Sequence, residues 1–240
     1  MKIAVQLYSV RDHIKTGEDM LDVLAKVKEI GYDGVEFAGY FGLDAQTLRN
    51  RLDEVGLVCV GGHIGIDNFA PDKIAETLDF QETLGTKLIG TGGAPHDKPD
   101  ELAATCEVFE NGQRIADERG FKLYYHNHSS EFNAFDTGKR PIDFLRESAW
   151  LEIDTYWSFH AGQDNYALLT DMKDKIVHLH VKDGVDGKPR ALGEGNCDLA
   201  TVVKAAKDIG IEWLIVENDD PTPNGLEDIA RSIKHLKTLL

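Results

Sequence analysis

Short apolar runs and longer amphipathic stretches take turns along the whole chain. Ile3–Tyr8 is a brief apolar run that reads as a strand. Thr16–Ile30 follows with Met20, Leu21, Leu24, Val27 and Ile30 at helical spacing, and Gly31 stands where a helix C-cap belongs. The same pattern predicts further strands at Gly34–Phe37, Leu57–Val60, Lys87–Thr91, from Phe121, and at Leu151–Ile153, Ile176–Val181 and Trp213–Val216. Helices are predicted between them at Leu43–Val55, Pro71–Leu84, Pro99–Arg119, Pro141–Glu147, Tyr166–Met172 and Leu199–Ile209, with Leu226–Leu239 closing the chain. Asp154–Asp164 reads as a polar and aromatic link, and Gly184–Asn196 as a long glycine-containing loop. Helix, glycine, then strand recurs in IGYDGVEF, VGLVCV, LGTKLI and RGFKLYY. Eight strand–helix units without a break in composition predict one α/β domain over residues 1–240, a single (β/α)8 TIM barrel. An open doubly wound sheet is the weaker reading, because VQLYSV stands where a GxGxxG turn would follow the first strand.

Composition narrows the partners. The 240 residues carry 42 acidic against 26 basic side chains, a net charge of −16 that would repel a phosphate backbone and argues against nucleic acid. Cys59, Cys106 and Cys197 form no CxxC pair, so neither a disulfide framework nor a thiolate zinc site is expected. No signal-peptide core and no membrane span is visible, and a cytoplasmic location without a membrane partner is the simplest expectation.

The chemistry concentrates at strand ends. In FKLYYHNHSSEF the apolar character stops abruptly, and alternation places Tyr124, His126 and His128 on one face, with Glu131 following. Elsewhere the C-terminal strand ends present Gln6 and Tyr8, Glu36, His63, Asp154, Glu217, and the alternating His178, His180 and Lys182 of VHLHVKD. In a barrel such residues converge on one pocket. Asp154, His180 and Glu217 offer oxygen and nitrogen donors that suit a hard or borderline divalent cation. Taken singly, each has a plainer reading: a helix-capping aspartate, a satisfied core histidine, a solvated glutamate. Their placement on successive strands is what points to a metal site. A cation beside a ketone would stabilise the charge that develops on oxygen as an α-proton leaves. The resulting enediolate leads to an epimer, an aldose–ketose isomer or a dehydrated product. Glu217 is the candidate base, with Lys182 and His128 available to move protons or hold hydroxyls.

YHNHSSEF, LEIDTYW, HLHVKDG and IVEND, in that order and with IAVQLYSVRD and YDGVEF before them, resemble the sugar phosphate isomerase/epimerase superfamily, the xylose isomerase-like TIM barrels. The resemblance covers nearly the whole chain. It implies one divalent metal ion (Mn, Mg, Zn or Co) held by Glu, Asp, His and Glu on strands five to eight. Asp154, His180 and Glu217 match three of these positions. His126 stands where many epimerases have the first glutamate, and it is favoured over Glu131 as the replacement ligand. That departure puts a two-glutamate acid–base scheme in doubt. The resemblance implies a small-molecule sugar or cyclitol substrate and a metal-dependent isomerase or epimerase, with Glu217, Glu131 and Lys182 as catalytic candidates. Glu36, His63, His128 and Trp157 are the substrate-binding candidates; Tyr156 beside Trp157 could pack on the apolar face of a sugar ring or at the barrel rim, and His160 is a weaker candidate in the same loop. A dehydratase acting on an inosose or 3-keto-sugar is the alternative, and a non-catalytic sugar-binding barrel is the alternative of another class. A phosphodiesterase would want more metal ligands and a basic groove. Gly193-Glu194-Gly195 is expected to be mobile enough for a lid, and assembly into a homo-oligomer stays open.

Overall fold

The structure, a computed structural model, describes residues 1–240. In chain order the strands are β1 (Lys2–Gln6), β2 (Gly34–Ala38), β3 (Val58–His63), β4 (Leu88–Thr91), β5 (Lys122–His126), β6 (Trp150–Asp154), β7 (Ile176–Val181), β8 (Asp183–Val185), β9 (Lys188–Arg190) and β10 (Trp213–Val216). All but β8 and β9 form a closed parallel barrel in the order β1-β10-β7-β6-β5-β4-β3-β2. The α-helices are α1 (Gly17–Ile30), α2 (Ala45–Val55), α3 (Ile74–Leu84), α4 (Pro99–Asp117), α5 (Pro141–Ser148), α6 (Thr155–His160), α7 (Asn165–Met172), α8 (Leu199–Ile209) and α9 (Gly225–Leu236). The predicted barrel is therefore the observed one.

Local signals explain the element ends. Thr16 and Asp19 form a reciprocal cap on α1: the Thr16 hydroxyl accepts from Asp19 N at 3.2 Å and Asp19 Oδ2 accepts from Thr16 N at 2.9 Å. Such a cap typically contributes ~1 kcal/mol. The first strand ends earlier than its apolar run, because the Gln6 side chain accepts from Tyr8 N and turns the chain into a 3-10 segment, Leu7–His13. The third strand runs longer, through Gly61, Gly62 and His63. The polar link after Asp154 contains α6, and the predicted loop 184–196 contains most of an antiparallel hairpin, β8 with β9.

Outward-facing strand residues such as Val5, Val35, Leu123, Ile153 and Leu214 pack with Met20, Leu24, Leu48 and Val202 of the helices in the main core. The barrel lumen is a separate compartment. Its floor is a small apolar cluster of Ala4, Val60 and Ile215 with Trp213 against it. Above that floor the lumen turns polar, and glycines make the room. A Cβ on Gly61 would sit 2.5 Å from the Tyr124 hydroxyl and 3.3 Å from Glu36 Oε1. A Cβ on Gly90 would run into the Tyr124 ring. A register shift between Val35 and Glu36 pairs Glu36 with Gly61, which sets these small residues opposite the bulky polar ones.

Candidate active site

Alternation along each strand decides which side chains meet in the lumen. Gln6, Glu36, His63, Tyr124, His126, Glu152, Asp154, His178, His180 and Lys182 all reach it, with Glu217 just beyond the end of β10. At the centre is Glu152, fully buried. One of its oxygens lies 2.7 Å from His63 Nε2, 3.1 Å from His180 Nε2 and 3.3 Å from His126 Nδ1, and the other lies 3.4 Å from His178 Nδ1. Glu36 receives a hydrogen bond from Gln6 Nε2 at 2.7 Å, contacts His180 Nε2 at 2.7 Å and accepts from the Tyr124 hydroxyl. The other nitrogen of His180 lies 2.9 Å from Glu217 Oε2.

Lys182 is fully buried, with Nζ 3.0 Å from Asp154 Oδ2, 2.7 Å from Glu217 Oε2 and 2.8 Å from Asp219 Oδ2. Burial opposes its charge, but Asp154, Glu217 and Asp219 outweigh that and hold its pKa well above the lysine value. Burial likewise opposes ionisation of Glu217, and Lys182 and His180 reverse the balance and hold it well below the usual carboxylate range. Asp154 goes the other way: burial raises its pKa, with Lys182 pulling only partly back.

The two central imidazoles, 4.5 Å apart between ring centres, also diverge. At His180 burial is overcome by Glu152, Glu217 and Glu36, and the pKa lies well above that of an ordinary histidine. At His126 burial prevails, His180 adds to it, and the pKa is pushed well down. Neighbouring cations repel, so one ring is charged and the other neutral. His63 is raised despite burial, by Glu36 and Glu152.

His126, Asp154, His180 and Glu217 bring donor atoms within 4.8 Å of one another, and all four are buried. Two observations fit this set to a divalent cation. The Lys182 ammonium already lies between Asp154 and Glu217, a positive charge where one is wanted. Asp154 Oδ2, which faces the donor set, is buried without a well-directed hydrogen bond. The ligands' outward sides are also provided for: His126 and His180 turn their second nitrogens to Glu152, the arrangement that fixes the tautomer of a metal-bound histidine.

The other expected residues divide. His63, His126, His128, Trp157 and Glu217 line an open cavity of about 820 Å³ above the cluster. Glu36 lies below it and is fully buried, so its partners are Gln6, Tyr124 and His180 rather than the cavity. Glu131 is not brought to the cluster at all. Its carboxylate accepts from the Tyr125 hydroxyl at 2.9 Å and His128 N at 2.9 Å, on the outer face of β5. The expected lid is pinned as well. Asp183 accepts from the backbone N–H groups of Gly184, Gly193, Gly195 and Cys197 at 2.9 to 3.0 Å, which ties the Gly193-Glu194-Gly195 turn to the end of β7. Tyr156 is buried beneath Trp157 and does not reach the cavity, and His160 stacks on Tyr156 away from it.

Residues 24–239 match the family model described as xylose isomerase-like TIM barrel. The chain belongs to that family. Among curated relatives, an inosose dehydratase of Clostridium beijerinckii is 22% identical, with 92% of this chain and 93% of the relative aligned. An inosose dehydratase of Geobacillus kaustophilus is 25% identical over 67% of this chain, which spans 61% of that relative. Among solved structures, a sugar phosphate isomerase/epimerase from Parabacteroides distasonis superposes with a TM-score of 0.82 at 20% identity, covering 98% of this chain and 95% of that one. At that identity the structural likeness shows the fold alone. The family's barrel agrees with the expectation drawn from YHNHSSEF, LEIDTYW, HLHVKDG and IVEND.

Glu152 is the residue that sequence reasoning passed over. The signal was present: in LEID, Glu152 and Asp154 are two apart and so share a strand face. An acidic residue inside a strand was absorbed into an otherwise apolar run.

Proposed function

We propose that this chain removes the proton α to the carbonyl of a keto-sugar or related cyclic polyol, giving an enediolate, with a divalent metal ion held by His126, Asp154, His180 and Glu217. The observation that carries the reading is the convergence of this donor set at the floor of an open cavity. When bound, the metal would polarise the carbonyl and its adjacent hydroxyl and so acidify the α-proton. Glu217 is the base. It is the one carboxylate of the donor set that lines the cavity, and its depressed pKa keeps it ionised at neutral pH. Lys182 holds Asp154 and Glu217 from below. His63 and His128 are placed to bind hydroxyls or return a proton.

Isomerisation, epimerisation and dehydration share this first step. One observation favours dehydration among them. Glu131 is tied to Tyr125 and His128 N outside the lumen, so a pair of glutamates across the substrate is not at hand. Loss of a β-hydroxyl needs one base and one acid, and His128 at the cavity wall can supply the proton. The likeness to inosose dehydratases over 92% of the chain supports the same branch.

The test is incorporation of deuterium from D₂O into keto-sugars and inososes, followed by NMR with Mn²⁺, Mg²⁺, Zn²⁺ or Co²⁺ supplied. Wild type is expected to exchange or eliminate, and Glu217→Gln to be slower by about 10²–10⁴-fold. Undiminished turnover by Glu217→Gln, or by protein stripped with EDTA, would overturn the assignment.

A further inference from the structure

The cavity above the cluster is larger than a sugar ring needs. At about 820 Å³ it falls in the range that takes a drug-sized ligand. Its character changes with height. The floor, at His63, His126 and Glu217, is polar and suits the hydroxyls and carbonyl of one ring. The mouth, the less buried part of the lining, presents the apolar surfaces of Tyr8, Ile64 and Trp157, with Asn68, His128 and Asp219 as its polar members. Beyond Tyr8 a second hollow of about 150 Å³ continues the mostly apolar surface, sharing Tyr8 and Ala38 with the cavity and adding Leu7, Ile14 and Phe41, with Arg11 as its one charged member.

This surface is held in place. The Arg11 guanidinium stacks on the Tyr8 ring with 4.1 Å to its centroid and is fixed by the carbonyls of Tyr8 and Asp219. Phe41 stands 40% exposed with φ of 51°, between Gly39 and Gly42 at 79° and 77°. A left-handed phenylalanine costs on the order of 1–3 kcal/mol, strain of a kind that collects at ligand clamps. Tyr8 is itself 44% exposed. Two large aromatic side chains thus face water at the entrance to a polar site.

Charge excludes a second class of substrate. No lysine or arginine lines the cavity, and Asp219 adds a carboxylate beside Glu217. Lys182 is enclosed by three carboxylates, and Arg11 is bonded to two carbonyls. Above the donor set, a phosphate ester would meet the Asp219 carboxylate with no lysine or arginine of the lining to pair with it.

From these observations we infer that the substrate is an uncharged glycoside whose oxidised sugar ring occupies the floor while an apolar or aromatic aglycone lies against Tyr8, Ile64 and Trp157. The reaction proposed above supplies the statement that the floor takes an oxidised sugar ring; the aglycone site stands on the mouth's own chemistry. Aromatic faces take up apolar groups and the C–H faces of sugars alike, with little loss of side-chain entropy.

The experiment uses unreactive probes, so that it is decided separately from the proposed chemistry. Binding of phenyl β-D-glucoside, glucose and glucose 6-phosphate to the Mn²⁺-supplied full chain is measured by calorimetry. Phenyl glucoside is expected to bind at least ~10-fold tighter than glucose, and glucose 6-phosphate to bind weakest. Tyr8→Ala should reduce the phenyl glucoside preference at least ~3-fold and Tyr8→Phe should keep it, since stacking area and not the hydroxyl is at issue. Equal affinity for phenyl glucoside and glucose, tightest binding by glucose 6-phosphate, failure of all three to bind, or a preference that survives Tyr8→Ala would each overturn the inference. So would a finding that Tyr8→Ala alters the sedimentation mass in place of the preference, since the aromatic mouth would then be a contact between copies. Absence of deuterium exchange in any keto-sugar would leave this result standing and remove only the reaction.

Discussion

Replacing Glu152 by glutamine changes one atom pair and removes the charge around which four imidazoles are arranged. In the metal-free protein His63 Nε2 and His180 Nε2 face it at 2.7 and 3.1 Å, and its charge raises the pKa of both. Hydrogen bonds to charged groups are each worth roughly 1.5–3 kcal/mol, and removing one partner of a buried ion pair typically costs about 3–5 kcal/mol. For a chain of this size each kcal/mol corresponds to about 2–4 °C, so Glu152→Gln should melt some 6–20 °C below wild type near neutral pH. The difference should depend on pH. His180 and His63 have folded pKa values raised above the unfolded one, so the stability from their pairs is complete below the unfolded value and fades as pH rises through the folded value. Glu152 and Glu217 are depressed, so their contribution is present above the unfolded carboxylate value and fades as pH falls through the folded one. The variant's deficit should therefore shrink toward both alkaline and strongly acidic pH. Calorimetric melts in EDTA across that range measure it. Titration of Mn²⁺ supplies a second reading, expected to be about 10–100-fold weaker because the carboxylate that orients His126 and His180 becomes a neutral amide with one acceptor oxygen in place of two. A melting temperature within about 1 °C of wild type at neutral pH, together with unchanged Mn²⁺ affinity, would refute the role given to this carboxylate.

Two further substitutions test the site and its scaffold. Lys182→Met removes the ammonium that lies between Asp154 and Glu217, so Mn²⁺ should bind about tenfold tighter or more by calorimetric titration. Weaker Mn²⁺ binding would mean that the lysine supports the cation site instead of competing for it. Gly90→Ala drives a Cβ into the Tyr124 ring, and overpacking of this kind typically costs about 1–3 kcal/mol, a melting temperature lower by roughly 2–12 °C. An unchanged melt would show that Tyr124 can move aside.

The barrel was legible because its two repeating signals are local: apolar runs for strands buried on the outside, and helices that end at glycine. The lumen is not local. Its polar residues come from separate strands, and the register shift at Val35 and Glu36 that pairs Glu36 with Gly61 leaves no mark in hydropathy. Asp154 shows why single-residue readings compete without excluding each other. Its Oδ1 caps α6 by accepting from Tyr156 N and Trp157 N at 2.9 and 2.8 Å, while its Oδ2 faces Lys182. The helix cap is realised by one oxygen, and the other is left directed into the lumen. Glu131 followed the cluster in sequence but not in space, because the chain turns through a short 3-10 segment, Ser130–Phe132, after β5 and carries its carboxylate to the outer side. The hairpin and the pinned glycine turn were hidden for a related reason: glycine signals freedom of the backbone, and only a distant acceptor reveals that the freedom has been used.

That acceptor, Asp183, is the chain neighbour of Lys182. The peptide that carries the buried ammonium is thereby fastened to a ring of four amide groups. If a metal ion arrives between Asp154 and Glu217, the lysine has to yield its position, yet the main chain beneath it is stiff. The rearrangement is confined to rotations of a single side chain, swinging from one pair of carboxylates toward Asp219. In a site built this way one cation would replace another with little reorganisation of its frame, because the movement falls to a side chain and the backbone beneath it is already tied down.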